Sequence, residues 1–267
     1  MSNTIINLPF TRRHAPTNFD HLVFADPPVR QRLELYASNL LHGSIILHGP
    51  YGTAKSVTAL TVVRDRRVIS GDTGPYVHHY LGAALNNGLG QVLGSLNLML
   101  AVENDPRPYV VIDELDQLSR AQQQTLRHML DTTPDLRLLM TTNAISAIDG
   151  GLQSRCECIP MLPPQPSDWL PRARDMLAVE GVALPNAALL QLLAVTTDAR
   201  SVMRELEALV VQHAMGANVA VSPQAAPRPS PKMSVLPGSA LASSLQHTTS
   251  APHFTLLPGQ PPLKPSP

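Results

Sequence analysis

A short apolar segment that leads into a loop of small residues, Ser44–Ser56, constrains the fold of this chain more than any other stretch. Residues 44–47 are typical of a buried β-strand, and Lys55-Ser56 open a segment compatible with a helix. Small residues let backbone N–H groups approach a phosphate, and a helix N-terminus adds positive partial charge. The pattern therefore predicts either a phosphate-binding strand–loop–helix or a strand–turn–helix without chemistry.

The loop departs at one position from the usual phosphate-binding pattern, Gly-x-x-x-x-Gly-Lys-Ser/Thr, because Ala54 stands where the last glycine is expected. Alanine costs little there unless the backbone needs a positive φ. Lys55 is predicted to reach the β- and γ-phosphates, and the Ser56 hydroxyl is predicted to ligate Mg²⁺. The predicted cofactor-binding residues of the loop are Gly49, Pro50, Tyr51, Gly52, Thr53, Ala54, Lys55, Ser56 and Val57.

Composition narrows the class of protein. The 267 residues carry a formal net charge of 0, which gives no overall attraction to nucleic acid or to an anionic membrane. The two cysteines, Cys156 and Cys158, are too few for a disulfide framework or a structural zinc site, so a reducing, cytoplasmic location is expected. No apolar run approaches membrane-spanning length, and no membrane association is expected.

A second informative stretch is Tyr109–Glu114, in which an apolar run leads directly into two carboxylates. The run is typical of a buried parallel strand, and ligands of open α/β sheets bind at the carboxyl ends of such strands. Asp113 is predicted to hold Mg²⁺, usually through water, and Glu114 to orient and deprotonate the attacking water. The alternative is a strand followed by a solvated acidic turn.

Two later positions have a functional and a structural interpretation each. A strand over 136–142 ends at Asn143, whose amide either hydrogen-bonds a γ-phosphate or the attacking water, or starts a turn. A last strand is predicted over 156–161, and Arg155 precedes it. Arg155 is either a surface arginine or a side chain that completes the site of a neighbouring subunit.

The N-terminal part of the chain predicts a helix from Asp26, as its cap, to about Leu41. Before it, Val23 and Phe24 either cover an adenine ring or pack in the core. After the phosphate loop, residues 64–67 suit the exposed end of a helix, residues 68–70 suit a second strand, and residues 92–102 suit a further helix.

Composition changes from Pro163 onward, and two domains followed by a tail are predicted. Residues 1–162 form a nucleotide-binding α/β domain with a parallel sheet flanked by helices, and residues 163–215 form a small helical lid domain of three helices. Arg200, at the start of the last helix, either reaches a bound phosphate across the domain junction or lies on the surface. Residues 216–267 are rich in proline and serine and are expected to be disordered.

Taken together, the motifs resemble those of AAA+ ATPases, which are P-loop NTPases, and most closely the clamp-loader group that includes the replication factor C small subunits. The resemblance covers about residues 10–213 and rests on the order and spacing of five motifs. They are the Walker A-like Gly49–Ser56, the Walker B-like Val110–Glu114, the sensor-1-like Thr141–Asn143, Ser154-Arg155-Cys156, and the sensor-2-like Asp198–Arg200.

This resemblance implies an ATPase that uses ATP and Mg²⁺ in a homo- or hetero-oligomeric ring, which acts on DNA and on a replication protein such as a sliding clamp. It implies that Asn143 and Arg200 sense the γ-phosphate and that Arg155 acts on ATP held by the adjacent subunit. A helical collar usually follows the lid in clamp loaders, whereas this chain has the Pro-rich tail. A helicase loader, a mobile-element or phage remodeller, and a scaffold that binds ATP without hydrolysing it are the alternatives.

Overall fold

A computed structural model describes residues 8–69, 77–86, 88–90, 92, 109–133, 136–196 and 198–216. Five strands form one sheet in the order β2-β3-β4-β1-β5, and every pairing is parallel. The strands are β1 Ser44–His48, β2 His78–Leu81, β3 Tyr109–Asp113, β4 Arg137–Thr142 and β5 Cys156–Pro160. Because all five run in the same direction, the phosphate loop (Gly49–Ser56) and the acidic end of β3 meet at one edge of the sheet.

Helices cover both faces of this sheet, as the apolar character of its central strands requires. One face packs against the second and third helices, and the other packs against the fifth and sixth. The helices in chain order are α1 Phe10–Arg13, α2 Pro27–Ala37, α3 Lys55–Ile69, α4 Gly82–Leu85, α5 Arg120–Thr132, α6 Gly150–Gln153, α7 Pro166–Val179, α8 Asn186–Ala194 and α9 Ala199–Ala214. The expected P-loop NTPase architecture is confirmed.

Three helices, α7–α9, form a separate hydrophobic cluster that we call the helical region. Leu189, Leu193 and Leu206 are fully buried in it. Phe10, near the start of the chain, is 1% exposed within the same cluster, and its backbone N–H donates to Glu207 Oε1 at 3.3 Å. The N-terminal segment thus packs in the core of the helical region, although it precedes the sheet in the sequence.

Three local predictions need correction. The helix expected to reach Leu41 ends at Ala37; Asn39 adopts φ 60°, which stops the helix, and Leu40 is 69% exposed. Residues 68–69 continue α3 instead of starting a strand, and the second strand is His78–Leu81.

The predicted exposed end of α3 also contains a buried arginine. Arg66 is 2% exposed, and its guanidinium lies 5.0 Å from the centre of the Tyr109 ring. Except for residue 92, the helix predicted over 92–102 lies outside the described residues, as do residues 217–267 of the predicted tail.

Candidate functional site

A cavity of about 860 Å³ lies between the carboxyl edge of the sheet and the helical region. The sheet side contributes the phosphate loop, the acidic end of β3 and the end of β4, and the opposite wall comes from α7 and α9. Predicted site residues that line the cavity are Val23, Tyr51, Gly52, Ala54, Lys55, Ser56, Val57, Asp113, Glu114, Asn143 and Arg200. The fold therefore brings most of the predicted site into one space.

Lys55 is the buried cation of the phosphate loop. It is 6% exposed, and its Nζ donates to the carbonyl oxygens of Gly49 at 2.9 Å and Pro50 at 2.7 Å. Burial lowers the pKa of Lys55, while the negative charges of Asp113 and Asp116 oppose that shift. The carbonyl contacts hold the ammonium at the loop, where an anionic ligand would supply the full countercharge that a buried cation needs.

Two glycines let the phosphate loop pass between the sheet and the helical region. Gly49 adopts φ +151°, and a Cβ there would lie 2.3 Å from the Met161 carbonyl oxygen. Gly52 adopts φ +79°, and a Cβ there would lie 2.3 Å from Asp198 Cβ. The Gly52 carbonyl oxygen accepts a hydrogen bond from the N–H of Ala199, the first residue of α9, at 3.0 Å. The loop is thus bonded directly to the start of α9.

Ala54, where the usual pattern has glycine, adopts φ +60°. This is the left-handed region that disfavours any residue with a Cβ, so the substitution has the conformational cost that the sequence left open. The loop keeps its geometry because the carbonyl of Ala54 accepts the N–H of Thr58 at 2.9 Å, in the first turn of α3.

We expect Ala54→Gly to stabilise the chain slightly. Relief of the left-handed strain contributes about 1–2 kcal/mol, and the greater freedom of glycine in the unfolded chain offsets about 0.5–1 kcal/mol of it. Thermal unfolding should show a small increase in Tm. The matched control Gly52→Ala, at φ +79° and against Asp198, should lower Tm clearly. A large loss of stability in Ala54→Gly would contradict this explanation.

Ser56 and Asp113 form the oxygen-rich pair predicted to hold a divalent cation. The Ser56 hydroxyl donates to Asp113 Oδ1 at 2.8 Å, and the Thr141 hydroxyl donates to the same oxygen. Asp113 is 8% exposed at the end of β3. Hydroxyl and carboxylate oxygens suit Mg²⁺, which commonly takes one or two protein ligands and keeps several waters. The donor set fits this cation.

Glu114 follows Asp113 with an exposed side chain in the cavity wall. Its backbone is left-handed, at φ 58° and ψ 52°, and its N–H donates to Thr141 Oγ1 at 3.2 Å. Gly82 packs beneath it, since a Cβ at that glycine would lie 2.3 Å from the Glu114 carbonyl oxygen. A left-handed backbone is uncommon for a residue other than glycine, and here it ends the strand directly before the 3₁₀ turn.

Asp116 and two threonines are site residues that sequence reasoning missed as such. Asp116 Oδ1 accepts the Thr142 hydroxyl at 2.7 Å and the Asn143 N–H at 3.2 Å, while Thr141 bonds to Asp113 and Glu114. The available signal was position: Asp116 lies two residues beyond Glu114, and the threonines directly precede Asn143.

The two residues proposed to cover an adenine ring separate in the structure. Val23 lines the cavity, whereas Phe24 is not among its lining residues and stacks on Phe19 with ring centres 5.4 Å apart. Phe24 also packs against the core on the α2–α3 side of the sheet. The core-packing interpretation therefore applies to Phe24, and Trp169 and Met176 of α7 contribute apolar surface to the cavity instead.

Four arginines line the cavity, but Arg155, which the sequence also predicted as a site residue, does not. Arg200 and Arg204 of α9 line it together with Arg64 and Arg172. Arg155 is absent from the lining; its Nε donates to Asp131 Oδ1 at 2.5 Å and its Nη1 donates to the Gly151 carbonyl at 2.8 Å. Arg155 therefore lies on the protein surface and does not line the cavity.

Residues 45–163 match the model of the AAA family, the ATPase family associated with various cellular activities. Over these residues the chain is therefore similar to AAA family domains. The match spans most of the sheet, the phosphate loop, Asp113 at the end of β3 and Glu114 directly after it. Among the described residues, no helix has the length and apolar character needed to cross a membrane.

Curated proteins that are similar to this chain are named replication factor C subunits. The small subunit of Thermofilum pendens is 24% identical over 184 residues, which are 67% of this chain and 55% of the relative. The probable subunit 5 of Caenorhabditis elegans is 23% identical over 220 residues, which are 77% of this chain and 59% of the relative. The chain thus spans little more than half the length of these relatives.

Solved structures support the fold. The RuvB Holliday junction branch migration motor of Thermotoga maritima is 18% identical, with a TM-score of 0.62 over 76% of this chain and 68% of that chain. Domain III of the replication initiation protein DnaA from the same organism is 17% identical, with a TM-score of 0.55 over 76% of this chain and 91% of that chain. At these identities the likeness concerns architecture alone.

Proposed function

We propose that this chain binds and hydrolyses ATP and that it uses the nucleotide state to change the geometry of an oligomer acting on DNA or on a replication protein. One observation carries the proposal. A single cavity joins the buried Lys55, the Ser56–Asp113 pair and Glu114 on one wall to Arg200 of α9 on the other. This is the set of charges that a metal-bound triphosphate and its hydrolysis require.

Binding rests on the phosphate loop. Lys55 would exchange its carbonyl contacts for β- and γ-phosphate oxygens, and the first N–H groups of α3 would add the partial positive charge of a helix N-terminus. Ser56 and Asp113 would hold Mg²⁺, which neutralises phosphate charge when bound. Val23, with Trp169 and Met176, supplies apolar surface suited to the adenine base.

Hydrolysis rests on residues at the carboxyl ends of β3 and β4. Glu114, exposed at the cavity wall, would orient a water molecule and accept its proton. Asn143, at the end of β4, would contact the γ-phosphate or that water. The Glu114 and Asn143 N–H groups donate to Thr141 Oγ1 and Asp116 Oδ1, and these bonds hold the backbone that carries the two side chains.

The switch rests on the contact between the phosphate loop and the helical region. Residues 163–215, which contain this region, would act as a lid over the bound nucleotide. Ala199 N–H bonds to the Gly52 carbonyl, and Arg200 is the next residue of α9. A γ-phosphate that attracts Arg200 would therefore bias the position of α9 relative to the loop, and its release would remove that bias. Arg155, outside its own cavity, would reach ATP held by a neighbouring subunit.

The partners are proposed from the relatives. The curated relatives are named replication factor C subunits. Their names support the proposal that this chain acts in DNA replication as part of a clamp-loader-like assembly. Primed DNA and a sliding clamp are the first partners to test.

Nucleotide binding and turnover test this proposal directly. We expect the wild-type protein to bind a fluorescent ATP analogue and to release phosphate, with faster release when primed DNA is added. Lys55→Ala should weaken binding about 10- to 100-fold, because a charge-assisted contact to phosphate is lost. The matched control Arg174→Ala removes an exposed cation of α7 and should bind like wild type.

Two results would contradict the proposal in different ways. Unchanged affinity in Lys55→Ala would remove the phosphate-binding assignment of the loop. Tight ATP binding without phosphate release, with and without DNA, would favour the scaffold that holds ATP without hydrolysing it.

A further inference from the structure

We infer that Asp116 is a positioning residue for hydrolysis. By joining the segments that follow β3 and β4, it fixes the position of Asn143 relative to Glu114. The inference rests on the proposed ATPase function and adds a residue to it. Asp116 does not line the cavity, and it acts through Glu114 and Asn143, which do.

The first observation concerns where the backbone pairing stops. The parallel register of β3 and β4 runs from Tyr109–Arg137 to Ile112–Met140. Asp113 and Glu114 lie beyond it on one strand, and Thr141, Thr142 and Asn143 lie beyond it on the other. The residues assigned to chemistry thus follow the last paired positions, and other contacts must hold the two strand ends together.

Side-chain hydrogen bonds provide those contacts in two steps. Thr141 Oγ1 donates to Asp113 and accepts the Glu114 N–H at 3.2 Å. Thr142 Oγ1 donates to Asp116 Oδ1 at 2.7 Å, and the same carboxylate oxygen accepts the Asn143 N–H at 3.2 Å. Thr141 therefore bonds to Asp113 and Glu114, and the next residue, Thr142, bonds to Asp116.

The second step fixes Asn143 specifically. The Asn143 N–H is bonded to Asp116, and Thr142 is 0% exposed, so its hydroxyl has little freedom to take another partner. Thr142 Oγ1 also accepts the Ala144 N–H at 3.1 Å, which continues the network one residue past Asn143. The hydrogen bond from the Asn143 N–H to Asp116 thus fixes the backbone of Asn143, which positions its side chain.

The position of Asp116 in the chain transmits this restraint to Glu114. Asp116 is the middle residue of a single 3₁₀ turn, Leu115–Gln117, that starts directly after Glu114, and Leu115 is fully buried. The Gln117 N–H closes this turn on the Glu114 carbonyl at 2.9 Å. A displacement of Asp116 would therefore move Glu114 and Asn143 relative to each other.

Three variants separate positioning from charge and from folding. Asp116→Asn keeps an oxygen that accepts both hydrogen bonds but removes the charge. Asp116→Ala removes both bonds, and Thr142→Val removes one donor with little change of volume.

We expect kcat to fall about 10- to 100-fold in Asp116→Ala, the size expected for a small misplacement of catalytic groups, with KM for ATP within about threefold of wild type. Asp116→Asn should recover most of kcat, and Thr142→Val should lie between the two.

A measurement without nucleotide tests the contact itself. Amide hydrogen exchange should be faster at Asn143 in Asp116→Ala than in wild type, and nearly unchanged in Asp116→Asn, because only the first variant loses the acceptor. This readout does not depend on ATP hydrolysis.

The outcomes distinguish the inference from the function on which it rests. If the wild-type protein releases no phosphate from ATP, with or without DNA, the proposed function fails and the inference falls with it. If hydrolysis depends on Glu114 but Asp116→Ala keeps wild-type kcat and Asn143 exchange, the inference alone is wrong. Equal loss in Asp116→Asn and Asp116→Ala would overturn positioning in favour of charge. If Asp116→Ala does not fold, wild-type kcat in Thr142→Val overturns the inference.

Discussion

Replacing Glu114 by glutamine is expected to abolish phosphate release and to leave ATP binding intact. Glutamine has the size and polarity of glutamate but does not accept a proton from water at neutral pH, so a loss of about 10²- to 10⁴-fold in kcat is expected. The Glu114 side chain is exposed, and the hydrogen bond to Thr141 uses the backbone N–H. The substitution should therefore leave Tm and the affinity for an ATP analogue near wild type.

A matched control for this variant is Glu205→Gln, which makes the same chemical change at an exposed position of α9. It should hydrolyse ATP like wild type. Single-turnover phosphate release measured alongside nucleotide binding decides the matter: if Glu114→Gln turns over at the wild-type rate, Glu114 is not the base.

Replacing Arg155 by alanine is expected to reduce turnover of the assembled protein strongly while each subunit still binds ATP. An arginine supplied to the transferred phosphoryl group by a neighbour contributes about 10³- to 10⁵-fold in phosphoryl-transfer systems, so a loss of about 10³-fold is the expected order. The structure makes this testable because Arg155 lies outside its own cavity and is bonded to Asp131 and Gly151. Phosphate release at increasing protein concentration measures the effect.

Mixing variants shows whether Arg155 acts between subunits. Arg155→Ala keeps a complete phosphate loop, and Lys55→Ala keeps Arg155, so a mixture of the two should exceed the sum of their separate activities. Asp131→Ala is the control for the surface ion pair, since it removes the partner of Arg155 and keeps the guanidinium. It should retain turnover. Wild-type turnover in Arg155→Ala would show that Arg155 is a surface arginine and does not complete the site of a neighbouring subunit.

The main features of the candidate site could be predicted from local sequence. A strand followed by a glycine-containing loop and Lys-Ser has few structural solutions, and an apolar strand that runs into Asp113-Glu114 must place its carboxylates at a sheet edge. The parallel sheet was predictable for the same reason, and the AAA+ architecture was predicted from the resemblance of the five motifs to those of AAA+ ATPases. The assigned roles of Lys55, Glu114, Asn143, Arg155 and Arg200 remain predictions that the variants above test.

Other features depended on contacts between distant parts of the chain. The sequence left two interpretations of Phe24, base covering and core packing, and its stacking on Phe19 selects core packing. Arg66 was predicted at the exposed end of a helix, but it is buried against the Tyr109 ring. Residues 68–69 have strand-forming side chains but continue α3 in the folded chain. Local preference is a weak guide where tertiary packing selects the conformation.

By itself, the sequence determined the order of strands and helices around the phosphate loop, because apolar periodicity, glycines and charged residues act over a few positions. Only the tertiary structure decided the left-handed backbone of Ala54, the packing of Phe10 in the helical region and the bonds from Asp116 to Thr142 and Asn143. These depend on side chains that are far apart in the chain and become neighbours when the parallel strands align. Hydrogen-bond geometry and close packing, which act only at contact distance, then select one arrangement.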